Sequence, residues 1–282
     1  MSKIQTATIA VADSRFPSES DLIEYLAEKA GVTAFDNLQS DEKKFTFRDG
    51  ETTYAVSLMD GPISWSNLQT PCALAWHWPE AALEFQSHTN HIIVGVLDDQ
   101  SDTIDRCLAL TRLAAAVCAN PGIAPIGVLW NAGLPDNKGA AGCVHRPEDF
   151  IAHSEEISRS ALPLELWISF LPAGSSETSF VMTTRGLDAF GLKELEAVGK
   201  GREPEWVYHR LYNFAHFCLT HPEEVKPGET IGMADDEKID ILAASSRFDP
   251  NKDVLLLNFD TIETNKKLEE ERNKYDGKDY KL

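Results

Sequence analysis

The stretch Phe45-Thr-Phe47-Arg-Asp49-Gly50-Glu-Thr-Thr-Tyr54-Ala-Val56 decides the fold class, because two independent features predict a β-hairpin there. Apolar and polar residues alternate on both sides of the Asp-Gly pair, as in strands with one buried face. The Asp-Gly pair tolerates the positive φ angles that a tight two-residue turn requires. The first part of the chain therefore contains an antiparallel pair of strands.

Strands and helices surround this hairpin on both sides. Thr6 to Ala12 alternates like a strand, and Ser18 begins a helix that Gly31 ends. Residues 79–88 predict a second helix with proline in its first turn, and residues 91–96 predict a buried strand. The order of elements in this part of the chain is βαββαβ.

A similar order recurs after a long helix predicted at residues 101–119, whose apolar side chains fall on one stripe. We interpret this helix as a connector. Strands are predicted at 126–130, 164–170, 179–184, 238–244 and 254–259, and helices at 147–157 and 204–220. The second half thus repeats βαββαβ with one extra strand.

The predicted fold class is therefore α+β, with two βαββαβ (ferredoxin-like) halves bridged by a helix and packed as one unit. The first half covers residues 1–98, the connecting helix residues 99–122 and the second half residues 123–260. Residues 261–282 are polar and form a charged C-terminal extension, with a helix or a frayed tail as alternatives.

An aromatic cluster provides the candidate binding residues. The segment Cys72-Ala-Leu-Ala-Trp76-His77-Trp78-Pro79-Glu80 follows Trp65 closely, and tryptophans grouped in this way either anchor a core or form the floor of a binding site. On an extended segment, Trp76 and Trp78 would share one face with His77 opposite, which core packing alone explains. The candidate cluster contains Trp65, Trp76, His77, Trp78, Trp130 and His145.

Three further motifs carry a family resemblance: Ile126-Gly-Val-Leu-Trp130-Asn-Ala-Gly133, Thr184-Arg-Gly186-Leu-Asp-Ala-Phe-Gly191-Leu-Lys-Glu-Leu-Glu196 and Pro227-Gly228-Glu-Thr230-Ile-Gly232. With them the chain resembles the bacterial family called domain of unknown function 4261, over about residues 6–259. The resemblance implies no activity. We interpret the second motif as a strand exit, a glycine turn and a short helix. Glu194 and Glu196 could form a carboxylate pair for acid–base chemistry, but charges so close on a short helix are usually solvated.

The cysteines and histidines offer no clear catalytic or metal site. Five cysteines without close spacing argue against a disulfide framework and against zinc ribbons, and we expect reduced thiols. Cys143 and His145 are the only pair that suggests a nucleophile with a base, but side chains two residues apart rarely reach the required geometry. We expect no catalytic residue, no metal ligand and no cofactor.

The charge limits the partners. The formal net charge is −19, with 45 acidic against 26 basic residues, and such a surface repels nucleic acid. No apolar run approaches the roughly 20 residues of a membrane helix, and the amino terminus lacks a signal pattern. We expect a cytoplasmic protein that binds neither nucleic acid nor membrane and whose partner is a basic protein.

Three functions remain open from the sequence. The first is a non-enzymatic immunity protein that neutralises a cognate antibacterial toxin by occlusion, which would suit an acidic protein without a catalytic set. The second is an enzyme whose site lies between the two halves and uses residues of the aromatic cluster. The third is an accessory or adaptor protein of a secretion system.

Overall fold

A computed structural model describes residues 4–130, 142–176, 179–199, 201–232 and 238–259. These residues form two compact units. Unit 1 contains the residues up to Ser169 together with Ala189–Gly191, and unit 2 contains Phe170–Asp188 and the residues from Leu192 onward. The compact units divide the chain after residue 169, whereas the sequence predicted one packed unit with a boundary at residue 122.

Unit 1 is built on a seven-stranded sheet in which every neighbouring pair is antiparallel. Its strands are β1 (Ile4–Val11), β2 (Asp36–Ser40), β3 (Lys44–Asp49), β4 (Thr52–Met59), β5 (Asn90–Leu97), β6 (Pro125–Trp130) and β7 (Cys143–His145). They follow the order β2-β3-β4-β5-β1-β6-β7. The predicted hairpin is confirmed as β3 and β4, although Gly50 and Glu51 form the turn, one residue later than the Asp-Gly pair. Gly50 has φ +60° there, which a glycine adopts without strain.

Six helices accompany this sheet: α1 (Glu19–Lys29), α2 (Trp65–Leu74), α3 (Ala81–Phe85), α4 (Thr103–Cys118), α5 (Pro147–Ser154) and α6 (Leu164–Trp167). Ser18 caps α1 as predicted, since its side chain accepts a hydrogen bond from the Asp21 backbone N–H. Asp102 caps α4 in the same way through the backbone N–H of Asp105.

The role predicted for α4 as a bridge between halves is wrong. α4 packs on β1 and β5 and contacts α1 and α5, and most of its residues are buried. Because β5 and β6 are both antiparallel to β1, they are parallel to each other. Parallel strands need a crossover connection, and α4 provides it within one sheet.

Unit 2 contains a six-stranded sheet with the order β11-β12-β13-β10-β9-β8. The strands are β8 (Ser169–Ser176), β9 (Ser179–Arg185), β10 (Glu194–Val198), β11 (Thr230–Ile231), β12 (Ile239–Ser245) and β13 (Asp253–Asn258). β10 and β13 are parallel, and α7 (Pro204–Thr220), which was predicted at these same bounds, contacts β9 and β10. Short 3-10 helices cover Leu187–Phe190 and Pro222–Glu224.

The α+β class is confirmed, but the ferredoxin-like halves do not match the strand order. In a four-stranded ferredoxin-like unit, the first strand lies between the third and the fourth. The third and fourth strands of the predicted first half are β4 and β5. These two strands pair directly with each other, and β1 pairs with the other edge of β5. β6, which the sequence placed in the second half, extends the first sheet by pairing with β1. The predicted strand at 164–170 is wrong, because α6 covers Leu164–Trp167 and β8 begins only at Ser169. The predicted extension at 261–282 lies outside the described residues.

Candidate functional site

The segment of the aromatic cluster forms a helix and a turn, not an extended strand. α2 begins at Trp65 and includes Pro71 and Cys72, and the chain turns at Trp76 and His77. The expectation that Trp76 and Trp78 share one face is therefore wrong. The Trp76 side chain is 59% exposed, whereas Trp78 is fully buried.

Trp78 is a core residue whose indole N–H has a hydrogen-bond acceptor and whose ring is packed against another aromatic ring. Its indole Nε1 donates a hydrogen bond to Glu84 Oε1 at 3.0 Å, and its ring packs on Phe85 with centroids 5.6 Å apart. A Cβ atom on Gly127 of β6 would lie 2.5 Å from Phe85 Cζ and 2.9 Å from the Trp78 ring. Glycine at this position therefore allows both rings to approach the sheet.

Trp130 is a second core anchor, at the end of β6. It is 2% exposed and stacks on Trp167 with an interplanar angle of 9°, while Phe150 of α5 lies 5.8 Å away between centroids. Trp167 in turn donates a hydrogen bond from Nε1 to the Thr111 hydroxyl at 2.9 Å. These contacts account for Trp130 by packing alone.

His77 and His145 are brought together although they come from different elements. Their rings stack with centroids 5.2 Å apart, and His77 Nε2 donates a hydrogen bond to the Val144 carbonyl oxygen at 3.2 Å. His145 is buried, and within the described residues its Nε2 has no hydrogen-bond partner. Burial, together with the neighbouring His77, lowers the pKa of His145 to about 3, so this ring is neutral at pH 7.

Trp65 lines a different feature, an open groove of about 410 Å³. Its lining is mostly apolar and consists of Pro62, Ile63, Ser64, Trp65, Phe85, Gln86 and His88. The Trp65 side chain is 42% exposed. The candidate cluster thus divides into an exposed group, formed by Trp65, Trp76 and His77, and a buried group, formed by Trp78, Trp130 and His145.

His88, which the sequence did not indicate, supports this groove from below. The histidine is buried, its Nε2 accepts a hydrogen bond from the Ile63 backbone N–H at 2.7 Å, and its Nδ1 donates to the Phe85 carbonyl oxygen. Both ring nitrogens are therefore used to join the loop before α2 to the end of α3. His88 lies between Ser87 and Thr89, and this polar surrounding predicts a loop and not a buried histidine.

Cys143 and His145 lie on the same short strand, β7, and both are buried. Cys143 Sγ lies 2.8 Å from the Ser169 hydroxyl oxygen. None of the five cysteines forms a disulfide, and all five are buried. Within the described ranges, no group of three or more His, Cys, Asp or Glu side chains is placed to hold a metal ion.

The predicted solvation of Glu194 and Glu196 in unit 2 is wrong, because both residues lie on β10 and not on a helix. Glu196 is 1% exposed, and its carboxylate accepts hydrogen bonds from the Ser246 hydroxyl at 2.5 Å and from the Arg247 backbone N–H at 3.2 Å. It thereby holds the turn between β12 and β13.

Glu194 holds the preceding turn in a similar way. Its carboxylate accepts hydrogen bonds from the Thr184 hydroxyl at 2.7 Å and from the Gly186 backbone N–H at 2.8 Å. Burial raises the pKa of Glu194, and these hydrogen bonds oppose the shift. Gly186 has φ +126°, a conformation that favours glycine. The run from Thr184 to Glu196 is therefore explained by its role in the fold.

In a comparison with protein families, the model described as "Domain of unknown function (DUF4261)" matches residues 183–258. The resemblance predicted from the sequence is confirmed over these residues, which run from the end of β9 to the end of β13. No curated protein and no solved structure matches the chain. The six residues of the candidate cluster all precede the matched segment. None of the helices in the described part of the chain is long and apolar enough to cross a membrane.

Proposed function

We propose that this protein binds a protein partner through unit 1 and catalyses no reaction. The observation that carries this proposal is the exposure of Trp65 and Trp76, while Trp78, Trp130 and Trp167 of the same unit are buried. Tryptophan is enriched among the few residues that supply most of the binding energy of protein interfaces. We call the region from α2 to α3, in which Trp65, Trp76 and Leu83 are exposed, the α2–α3 surface.

Charge favours a basic partner. Between Arg48 and Arg106 the sequence contains no lysine or arginine, and this stretch includes the whole α2–α3 surface. Nine acidic residues lie within it: Asp49, Glu51, Asp60, Glu80, Glu84, Asp98, Asp99, Asp102 and Asp105. Five of them form salt bridges with basic residues outside the stretch, which are Arg48 with Glu51, Lys43 with Asp60, Arg146 with Glu80, and Arg159 with Asp102 and Asp105. Complementary charge raises association rates and excludes partners of the same sign.

The partner that we propose is a basic antibacterial toxin, which this protein would neutralise by occlusion in the bacterial cytoplasm. Support comes from the net charge of −19 and from the exposed tryptophans. Occlusion needs a stable surface and no nucleophile. Its rate of association falls with ionic strength, because salt screens interactions between exposed charges.

The test compares three forms of the tagged protein in its native host: wild type, Trp65→Ala with Trp76→Ala, and Phe248→Ala. Phe248 lies in unit 2 and is 51% exposed, so it matches the tryptophans as an exposed aromatic residue. We expect a basic protein that wild type and Phe248→Ala retain and the double variant loses. A toxin among the retained proteins, with growth rescued by co-expression, supports immunity. A component of secretion machinery would instead identify an adaptor.

A second candidate function is enzymatic, and the stacked pair of His77 and His145 favours it. His77 is exposed beside a buried histidine whose Nε2 has no partner in the described part of the chain. His77→Gln separates the two candidates, because it removes an acid or base, while the glutamine amide can still donate to the Val144 carbonyl oxygen and keep the turn that bears Trp76 attached to β7. Loss of protection in His77→Gln with partner binding intact would replace occlusion by catalysis.

A further inference from the structure

We propose that this protein forms a symmetric dimer through unit 2, in which the outer edge of β12 pairs antiparallel with the same edge of a second copy. We call residues 242–245, Leu-Ala-Ala-Ser, the β12 edge. A strand that is added to the edge of a sheet gains main-chain hydrogen bonds and side-chain contacts together. The inference does not depend on the partner binding that we propose for unit 1.

The backbone of the β12 edge directs hydrogen-bonding groups away from its own sheet. The Ile241 N–H donates to the Glu229 carbonyl oxygen at 2.9 Å, and the Ile241 carbonyl oxygen accepts from the Gly228 N–H at 2.7 Å, so both groups face away from β13. Alternate residues of a strand point their N–H and carbonyl groups to the same side, so those of Ala243 and Ser245 also face outward. Within the described residues, no group binds these outward atoms of Ala243 and Ser245.

The β12 edge lacks the features that usually keep sheet edges apart, which are charged side chains, prolines and bulges. Residues 241–246 contain no charged residue and no proline, in a chain with 45 acidic residues. β11 pairs with Ile239 and Asp240, at the start of β12. By contrast, β8 at the other edge of the same sheet contains Pro172. Two copies of an acidic protein can therefore meet at the β12 edge without direct charge repulsion.

A two-fold axis at Ala244 makes the β12 edge complementary to itself. Ala243 then lies opposite Ser245 of the second copy, and their outward groups form two hydrogen bonds, which the symmetry repeats. The Ala244 side chains of the two copies meet on one face of the joined sheet, where their small size lets the strands approach. Leu242 lies on the same face, is 38% exposed and comes beside Ala244 of the second copy. The pairing thus covers an apolar side chain that the single chain leaves in water.

Opposite charges meet at both ends of the paired strands. In this register Arg247 of the second copy lies opposite Ile241, whose backbone is already bound to Glu229. The chain leaves the strand at Ser246 and bends back toward β13, so Arg247 stays outside the position of the Glu229 backbone. Arg247 and Glu229 are both exposed, and neither forms a salt bridge in the part of the chain that the structure describes. The two-fold axis gives the dimer two such contacts.

Sedimentation velocity of the full-length protein, from dilute solution up to millimolar concentration, tests the dimer. So short a pairing buries less than the roughly 1,600 Å² of a standard interface, so we expect a dimer that dissociates on dilution. Arg247→Glu and Glu229→Arg should each weaken it by about 10-fold, because an attraction becomes a repulsion at two contacts. The double variant exchanges the charges and should restore dimerisation, which a purely structural role of either residue would not explain. Glu223→Arg changes the charge equally at an exposed position of unit 2 outside the edge and should leave the dimer intact.

A second experiment tests the backbone pairing. Ala243→Pro removes an outward N–H that the β13 ladder does not use, so the variant should fold, as urea unfolding will check, and stay monomeric. In wild type, the amides of Ala243 and Ser245 should exchange with solvent more slowly at high than at low protein concentration. A wild type that stays monomeric at millimolar concentration would overturn the inference. So would a dimer that survives Ala243→Pro and leaves these amides unprotected. Partner capture by the α2–α3 surface would survive either result.

Discussion

The imidazole rings of His77 and His145 stack with centroids 5.2 Å apart, with one ring exposed and the other buried. The hydrogen bond from His77 to the Val144 carbonyl oxygen attaches the turn that bears Trp76 to β7. The exposed tryptophan therefore stands on a turn that is fixed to the sheet. This arrangement would suit the proposed binding surface, because a fixed side chain loses little freedom when a partner covers it.

The first prediction concerns His145 and acid. The pKa of a histidine is about 6.5 in an unfolded chain, whereas burial lowers that of His145 to about 3. Between these pH values His145 is protonated in the unfolded state and neutral in the folded state. The free energy of unfolding therefore falls as pH falls, by at most about 1.4 kcal/mol per pH unit. His145→Phe should lose less stability than wild type between pH 7 and pH 4 in urea unfolding. The control is His153→Gln, which replaces an exposed histidine of α5. Identical pH dependence of wild type and His145→Phe would contradict the burial of a neutral ring.

A second prediction separates the tryptophans by stability. Trp78→Ala and Trp130→Ala each remove a buried indole and should lower the free energy of unfolding by about 3–5 kcal/mol. Trp76→Ala changes a side chain that is 59% exposed and should stay within about 0.5 kcal/mol of wild type. Urea unfolding followed by circular dichroism measures all three. A large loss in Trp76→Ala would show that this ring is held in the core.

Local sequence signals predicted the elements correctly where the structure depends on near neighbours in the chain. We predicted the hairpin β3–β4 from the alternation of apolar and polar residues, and α4 and α7 from apolar residues at helical spacing. These patterns lie within each segment and need no distant contact. α2 was missed because Pro71 lies inside it, and a proline argues against a helix interior. The pairing of β6 with β1 joins strands far apart in the chain, and no local pattern reports it.

The sequence indicated the residues of the aromatic cluster but not which of them the fold buries and which it exposes. All six cluster residues lie in unit 1. Alternation on a strand would have put Trp76 beside Trp78, whereas the turn sends one ring to solvent and the other into the core. Glu196 was misread for a related reason, because its hydrogen-bond partner Ser246 is fifty residues away.

The third prediction concerns this buried carboxylate. Glu196→Gln keeps the size of the side chain but removes its charge and turns one acceptor into a donor that faces the Arg247 N–H. We expect a loss of about 1.5–3 kcal/mol in the free energy of unfolding, as for hydrogen bonds to charged groups. Ser246→Ala should cost less. The double variant should cost less than the sum of the two, because the residues share one bond. Strict additivity would argue against the pairing of Glu196 with Ser246.

The last prediction concerns the reactivity of the thiols and tests the enzymatic alternative. Burial raises the pKa of Cys72 to about 11 and that of Cys218 to about 12, and it raises the pKa values of Cys107 and Cys118 as well. Thiolates are the reactive species, so these four cysteines should react slowly with a disulfide reagent at pH 8 while the protein is folded. Cys143 is 6% exposed and should be slow because the reagent cannot reach it.

After denaturation without reductant all five cysteines should react, since none forms a disulfide. In the folded protein the rate should follow transient opening and rise with urea below the unfolding transition. Cys143→Ser provides the comparison. One thiol that reacts rapidly in the native wild type, and is missing in Cys143→Ser, would show that Cys143 is an accessible, activated thiol beside His145. That result would contradict a structural role for β7, and a nucleophilic enzyme would then replace the occluding protein as the better proposal.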